Sequence, residues 1–339
     1  MKNSLLSRTA VYLFLILSFA ASPVLARKAK PSHGPVVTVS QVNYDGWQGC
    51  YRISNGKTQA VIVPDIGGRI MDYSVNGENA IFVNRAEEGK LYPITKIWHN
   101  YGGFKDWNSP QSVWGFPPDP YLDFGHATVE ILQGQTAPTV RVTGAASLES
   151  GLIFTRDITM DPVTGDLTVQ QRMYNIAAKP QQWGVWGVTQ APTSCVVAVP
   201  INPKSHFAGG VYTFPNPTAG FETQWHAANG LLIMRPDRKV GKLGIDDSAG
   251  WMAYFRGKLA YIKRIPTLTP GAAYPDNGSN AEIYVDHDLP YLEMEVLSPL
   301  FSLPPGAYGE LTEQWQIRML PHAVKTDADV AAAVKSLGL

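Results

Sequence analysis

Short runs rich in Val, Ile, Thr, Tyr and Trp, each closed off by Gly, Pro, Asn or Asp, follow one another along almost the whole of this 339-residue chain. They fall at 36–42, 58–63, 69–75, 128–132, 140–143, 166–174 and 183–189, and again at 251–255, 259–263, 281–285, 291–297 and 311–319. Such spacing predicts an all-β sandwich or barrel and argues against a parallel α/β fold. Turn pairs and triplets punctuate the runs: Asn55-Gly56, Asn76-Gly77, Thr164-Gly165-Asp166 and Asp276-Asn277-Gly278. Only the end of the chain reads as helix. Thr326 suits an N-cap, Asp327 and Asp329 suit the first turn, and residues 330–337 follow with Lys335 near the C-terminus.

The first residues have a different character. Lys2 and Arg8 form a short basic segment, residues 10–21 are apolar, and Ser22-Pro23-Val24-Leu25-Ala26 supplies small or aliphatic residues where signal peptidase reads. The apolar core falls short of the ~20 residues that a membrane span needs. The expectation is a signal peptide over 1–26, cleaved after Ala26, and one exported β domain over 27–339, periplasmic or secreted. Removing 1–26 takes away two cations and no acids, so 28 Lys and Arg become 26 against 28 Asp and Glu. A near-neutral chain without a basic stripe does not suit nucleic acid as a partner. No second apolar run long enough to cross a bilayer follows, so no membrane span is expected in the mature form.

The two cysteines, Cys50 and Cys195, each sit in an apolar, strand-like run. An oxidising compartment permits a bridge, but in such runs cysteine more often serves as a small buried hydrophobe.

One stretch breaks the strand pattern. Residues 87–124 hold Tyr92, Trp98, Tyr101, Phe104, Trp107, Trp114, Phe116 and Tyr121 among several prolines and glycines. Read as a long loop insertion, it is either a functional platform or a lid packing its own aromatics. Exposed aromatic faces suit the apolar faces of sugars, and the interleaved Asn, Asp, Lys and Gln suit hydroxyls.

Several segments, taken in order, resemble a known family. Asn55 to Ile70, with Gly67-Gly68-Arg69 at its turn, is similar to the N-terminal hairpin of the galactose mutarotase-like (aldose 1-epimerase-like) superfamily. Residues 79–84 resemble its next strand. Tyr101-Gly102-Gly103-Phe104-Lys105-Asp106-Trp107-Asn108-Ser109-Pro110-Gln111 resembles its substrate-side loop. Tyr291-Leu292-Glu293-Met294-Glu295 is similar to the strand bearing its catalytic glutamate. Leu303-Pro304-Pro305-Gly306 with Glu313-Gln314-Trp315 resembles its closing hairpin. The resemblance covers roughly residues 50–320 and fits an exported bacterial branch. It implies a large antiparallel β-sandwich, the galactose mutarotase-like supersandwich, with the aromatic insertion and a short C-terminal helix added. It also implies a mono- or oligosaccharide ligand and no cofactor.

The same resemblance implies the site. Glu293 takes the general-base position with Glu295 beside it, and Arg69 reaches the sugar. Lys105, Trp107, Gln111, Trp186 and Gln190 join them as candidate sugar-binding residues. The residues themselves agree in part. Arg69 leaves a tight Gly-Gly turn with five donors. Glu293 and Glu295, two apart on a strand, share one face about 7 Å apart. In an epimerase of this kind the glutamate removes the anomeric hydroxyl proton while a histidine protonates the ring oxygen. Here the sequence departs from the pattern. The matching segment, residues 181–190, contains no histidine, and neither Trp186 nor Gln190 is an acid near neutral pH. His99, in the aromatic stretch, is the candidate stand-in. His287 reads as a turn residue, and none of the seven histidines forms a metal motif, so no metal is expected.

Three readings follow: an exported carbohydrate-binding protein, a carbohydrate-active enzyme using Glu293 or Glu295 as a divergent 1-epimerase or a glycan-cleaving enzyme, or a non-catalytic structural protein of the envelope. The missing mid-chain histidine favours the first.

Overall fold

A computed structural model describes residues 36–339; the expected signal peptide, 1–26, lies outside the described residues. The alternating runs become strands, and all of their pairings are antiparallel. One sheet has 12 strands and the other 10, and they pack face to face. Thr58–Val63, Arg69–Val75, Thr128–Leu132, Ala281–Val285 and Tyr291–Leu297 are strands over the ranges that the alternation predicts. In Leu167–Asn175, buried and half-buried residues alternate without a break, as expected for a strand with one face on a core and one toward water.

The core lies between the sheets. Phe104 of one sheet meets Trp315 of the other edge to face, with centroids 4.8 Å apart. Tyr73 donates its hydroxyl to the backbone carbonyl of Trp315 at 3.0 Å. A polar layer is set into this core. Lys263 Nζ lies 2.9 Å from Glu313 Oε2 and donates to Thr189 Oγ1 at 3.0 Å. Gln171 donates to the other Glu313 oxygen at 3.0 Å, and Arg156 Nε lies 3.1 Å from Asp106 Oδ2.

The aromatic stretch is more ordered than a loop insertion. Its Phe104–Ser109 segment is a buried strand in the interior of the 12-stranded sheet, between Arg69–Val75 and Gln181–Pro192. Its end folds into a short helix, Pro120–Phe124, started by the Asp119 side chain, which accepts from the Tyr121 amide. Residues 79–84, expected as a strand, form only the two-residue pairing Glu78–Asn79 and a single bridge between Val83 and Gly102. The expected closing hairpin is instead a crossing point. Phe301–Leu303 pairs with Gln181–Pro192, whereas Tyr308–Met319 pairs with Leu167–Asn175 and Leu259–Arg264 in the second sheet.

The C-terminal helix spans Asp327–Ser336. Thr326 and Asp329 exchange side-chain-to-backbone hydrogen bonds at its start, satisfying two of the amides a helix leaves free. Val330 and Ala333 pack against Val196, Ala198 and Ile233 of the second sheet. Cys50 and Cys195 are both unpaired, and Cys50 is wholly buried beside Trp47 and Val61.

Candidate functional site

The site begins with alternation on one strand. Along Tyr291–Leu297, residues Leu292, Met294 and Val296 enter the core between the sheets. Tyr291, Glu293 and Glu295 therefore point to the opposite face. Pairing then lines up the neighbours. Gln190 lies opposite Glu293 on the Gln181–Pro192 strand, and Trp186 lies opposite Leu297. Trp107 of Phe104–Ser109 lies opposite Trp186. On the other side Glu282 faces Glu295 and Tyr284 faces Glu293, and Lys242 of Gly241–Ile245 lies opposite Tyr284.

Trp107, Trp186, Lys242, Tyr284, Tyr291, Glu293 and Glu295 line a cleft of about 270 Å³, with Lys105, Gln190 and Glu282 behind its surface. Glu293, Glu295 and Lys242 form its polar base, and Trp107, Trp186 and Tyr291 form its walls. Trp98, Gln111 and Phe116 close over it from the aromatic stretch.

Each carboxylate is held by donors. Glu293 Oε1 accepts from Lys105 Nζ at 3.0 Å and from Gln190 Nε2 at 2.9 Å. Lys105 also stands 4.4 Å from the centre of the Trp107 ring. Burial pulls its ammonium below the usual lysine range, and Glu293 opposes that pull. Glu295 Oε2 accepts from Trp186 Nε1 at 2.8 Å and lies 2.8 Å from Lys242 Nζ, while its Oε1 is buried without a partner. Lys242 is shared with Glu282 at 2.5 Å and sits 4.4 Å from the Trp186 ring centre. Burial works against the Lys242 charge, but the two glutamates outweigh it and hold the ammonium protonated. Burial raises both Glu282 and Glu295 and Lys242 opposes; the Glu295 charge adds to the rise at Glu282, and the Glu293 charge adds to that at Glu295.

Arg69 does not reach the cleft. It is 1% exposed and donates to Asp123 Oδ1 at 2.7 Å and to the Gly102 carbonyl at 2.9 Å. The same Asp123 oxygen accepts from Trp107 Nε1 at 2.8 Å, so Arg69 acts on the cleft wall through Asp123. The sequence does not show this, because the partner comes from the short helix folded over the Gly67 turn. His99 is not brought to Glu293 either. Its ring stacks on Tyr92 with centroids 3.6 Å apart and meets Phe124 edge-on, outside the cleft lining. Tyr92, one of the aromatics expected to face a sugar, packs on this histidine instead.

Sequence reasoning missed Lys242, Tyr284 and Asp286. Glu282, Tyr284 and Asp286 are spaced by two in and just after the Ala281–Val285 strand, which is the signal that finds them. Lys242 has no comparable mark beyond the nearby glycines, Gly241 and Gly244. A larger hollow of about 590 Å³ lies over the second sheet near Asp161, Asp166 and Gln314. It contains no aromatic ring, and Asp166 is bound by Arg318 at 2.6 Å; the smaller cleft is the better-built site. Among the described residues, no group of three or more His, Cys, Asp or Glu is placed to hold a metal ion, and no helix is long and apolar enough to cross a membrane.

Two antiparallel sheets packed face to face give the chain the fold of a galactose mutarotase-like β-sandwich. Solved structures agree on the fold. A candidate aldose 1-epimerase from Klebsiella pneumoniae superposes with a TM-score of 0.56 at 12% identity, over 89% of this chain and 86% of its own. A galactose mutarotase-like protein from Clostridium acetobutylicum superposes with a TM-score of 0.53 at 12% identity, over 84% and 99%. A TPR-domain-containing protein from Parabacteroides distasonis gives 0.54 at 12% identity, over 82% of this chain but only 49% of its own. No curated protein matches the sequence. Residues 50–318 match the family described as a domain of unknown function (DUF4380), and the chain belongs to that family.

Proposed function

We propose that this chain is an exported carbohydrate-binding protein whose ligand lies in the cleft above Glu293. The observation that carries the reading is the cleft itself, in which tryptophan walls stand over a carboxylate oriented by Lys105 and Gln190. Concave sites with aromatic walls and a few fixed polar groups are the usual form of a small-ligand site. Ring faces contribute apolar contact to a sugar's C–H groups, and an oriented carboxylate accepts from paired hydroxyls. Among the described residues, Glu293 Oε2 has no protein donor, so it is the oxygen that addresses the ligand.

The same geometry supports binding over ring opening. The carboxylate of a base is in place, but no histidine is among the residues that line the cleft. A ring oxygen that develops charge needs a proton donor within about 3.2 Å, directly or through one water. Titration calorimetry across common aldoses tests the binding reading, and polarimetry on the same sugars tests turnover. Saturable binding without faster anomer interconversion is the expected result. Acceleration that disappears in Glu293→Gln would make the chain an enzyme.

A further inference from the structure

The cleft has a neighbour of the same size. A second hollow, of about 290 Å³, lies beside it and is lined by Trp114, Trp183, Val113 and Ser150, among others. One wall serves both sides. Trp114 packs edge-on against Trp107 at 6.0 Å and lies 6.4 Å from Trp186, the two rings that wall the cleft. The 111–117 turn runs between the hollows, with Gln111 and Phe116 on the cleft side and Val113, Trp114 and Pro117 on the other.

Three features of this arrangement are unexplained by a ligand confined to the cleft. The crest of the dividing turn is apolar and bare: Val113 is 66% exposed and Phe116 is 61% exposed. Each hollow also holds a polar group without a partner, Trp98 Nε1 in the cleft and Ser150 Oγ in its neighbour. Finally, each volume lies just below the ~300–1,000 Å³ of ordinary ligand pockets, which suits one small unit per hollow better than one large ligand in either.

Building on the reading that the cleft binds sugar, we propose that the ligand is an uncharged oligosaccharide that crosses the 111–117 turn and places successive rings in the two hollows. The charges at hand fit a neutral chain. The cleft sets Asp286, Glu293 and Glu295 against Lys242, and the second hollow sets Asp119 and Glu149 against Lys96. The excess of carboxylates in both repels uronates and phosphorylated sugars. A ligand crossing the turn covers Val113 and Phe116, removing from water a crest that otherwise stays wet.

Titration calorimetry on the full chain, with glucose and galactose against cellotetraose, maltotetraose and galactotetraose, tests the proposal. The expected result is that one tetrasaccharide binds at least about tenfold tighter than its monosaccharide, a gain the size of one added stacking contact. Val113→Trp, which fills the second hollow from an exposed position, removes that gain and leaves monosaccharide affinity unchanged. Glu149→Arg, also exposed, provides an independent check, and melting curves confirm that both variants fold. Equal affinity for monosaccharide and tetrasaccharide, or equally tight binding of tetragalacturonate, overturns the two-hollow proposal while the cleft reading stands. Failure of every saccharide to bind overturns both.

Discussion

Glu293 sits where only 7% of the residue is exposed, and one of its oxygens accepts from two donors, Lys105 and Gln190. The arrangement ties recognition to stability. Glu293→Gln removes the partner of a Lys105 that is itself 2% exposed, and an unpaired buried charge costs about 3–5 kcal/mol. The same change removes a charged acceptor from the ligand, worth about 1.5–3 kcal/mol of binding. Urea unfolding reads the first effect and calorimetry the second. Adding Lys105→Met to Glu293→Gln is expected to restore most of the stability and none of the binding. Asp106, one residue away and on the core side, behaves differently. Burial raises its carboxyl to about 6, Arg156 opposes the shift and Glu313 adds to it. Between about pH 4, the ordinary aspartate value, and pH 6, the folded state holds a proton that the unfolded chain has lost. Stability from this group is therefore full below pH 4 and falls, by about 3 kcal/mol, as pH rises through 6. Asp247 shifts in the same direction, again chiefly by burial. In Asp106→Asn the fall across this window becomes shallower, which unfolding measured at several pH values detects.

At the scale of elements, alternation makes legible the strands in which mostly apolar inward residues recur at every second position, as in Leu167–Asn175. Among the strands it does not single out, Phe104–Ser109 and Leu152–Met160 share one feature. Each carries one member of the buried Arg156–Asp106 pair at an inward position, so a charge stands where the period-two pattern calls for an aliphatic. Phe104–Ser109 also turns Lys105 and Trp107 to the cleft, which leaves neither face reading as surface or as core. For the same reason the candidate site was legible through Glu293, Trp107 and Gln190, whereas Arg69 was placed in the cleft because nothing local foretells Asp123. The turn before Arg69 makes a sharper test. Gly67 has φ +79°, and a Cβ there stands 2.4 Å from the Asp123 carbonyl oxygen. Gly67→Ala must move the Pro120–Phe124 helix and with it the Asp123 side chain that holds Arg69 and Trp107. Gly77 has the same φ but open space around it, so Gly77→Ala costs only the backbone strain, about 1–3 kcal/mol. Gly67→Ala is expected to cost more than that and to weaken saccharide binding as well, in side-by-side unfolding and calorimetry.

At the scale of the molecule, the cleft belongs to no single segment. Its lining runs from Trp98 to Glu295 and draws on Phe104–Ser109, Gln181–Pro192, Gly241–Ile245 and Tyr291–Leu297, which lie together in the 12-stranded sheet. Expression in a Gram-negative host is expected to yield a periplasmic form starting at Arg27, read by N-terminal sequencing; an intact residue 1–26 segment would refute cleavage. The placement of the floor has one more consequence. Rim residues such as Phe116 can be exchanged without disturbing the sandwich, but floor residues double as its interior beams. Substitutions that reshape the cleft at least structural cost therefore lie at its rim. On the proposed reading, a bound saccharide would fasten distant stretches of chain to one another. Such binding would add about 2.7 kcal/mol at a hundred times the dissociation constant, and protection of the whole sheet from proteolysis is the expected outcome.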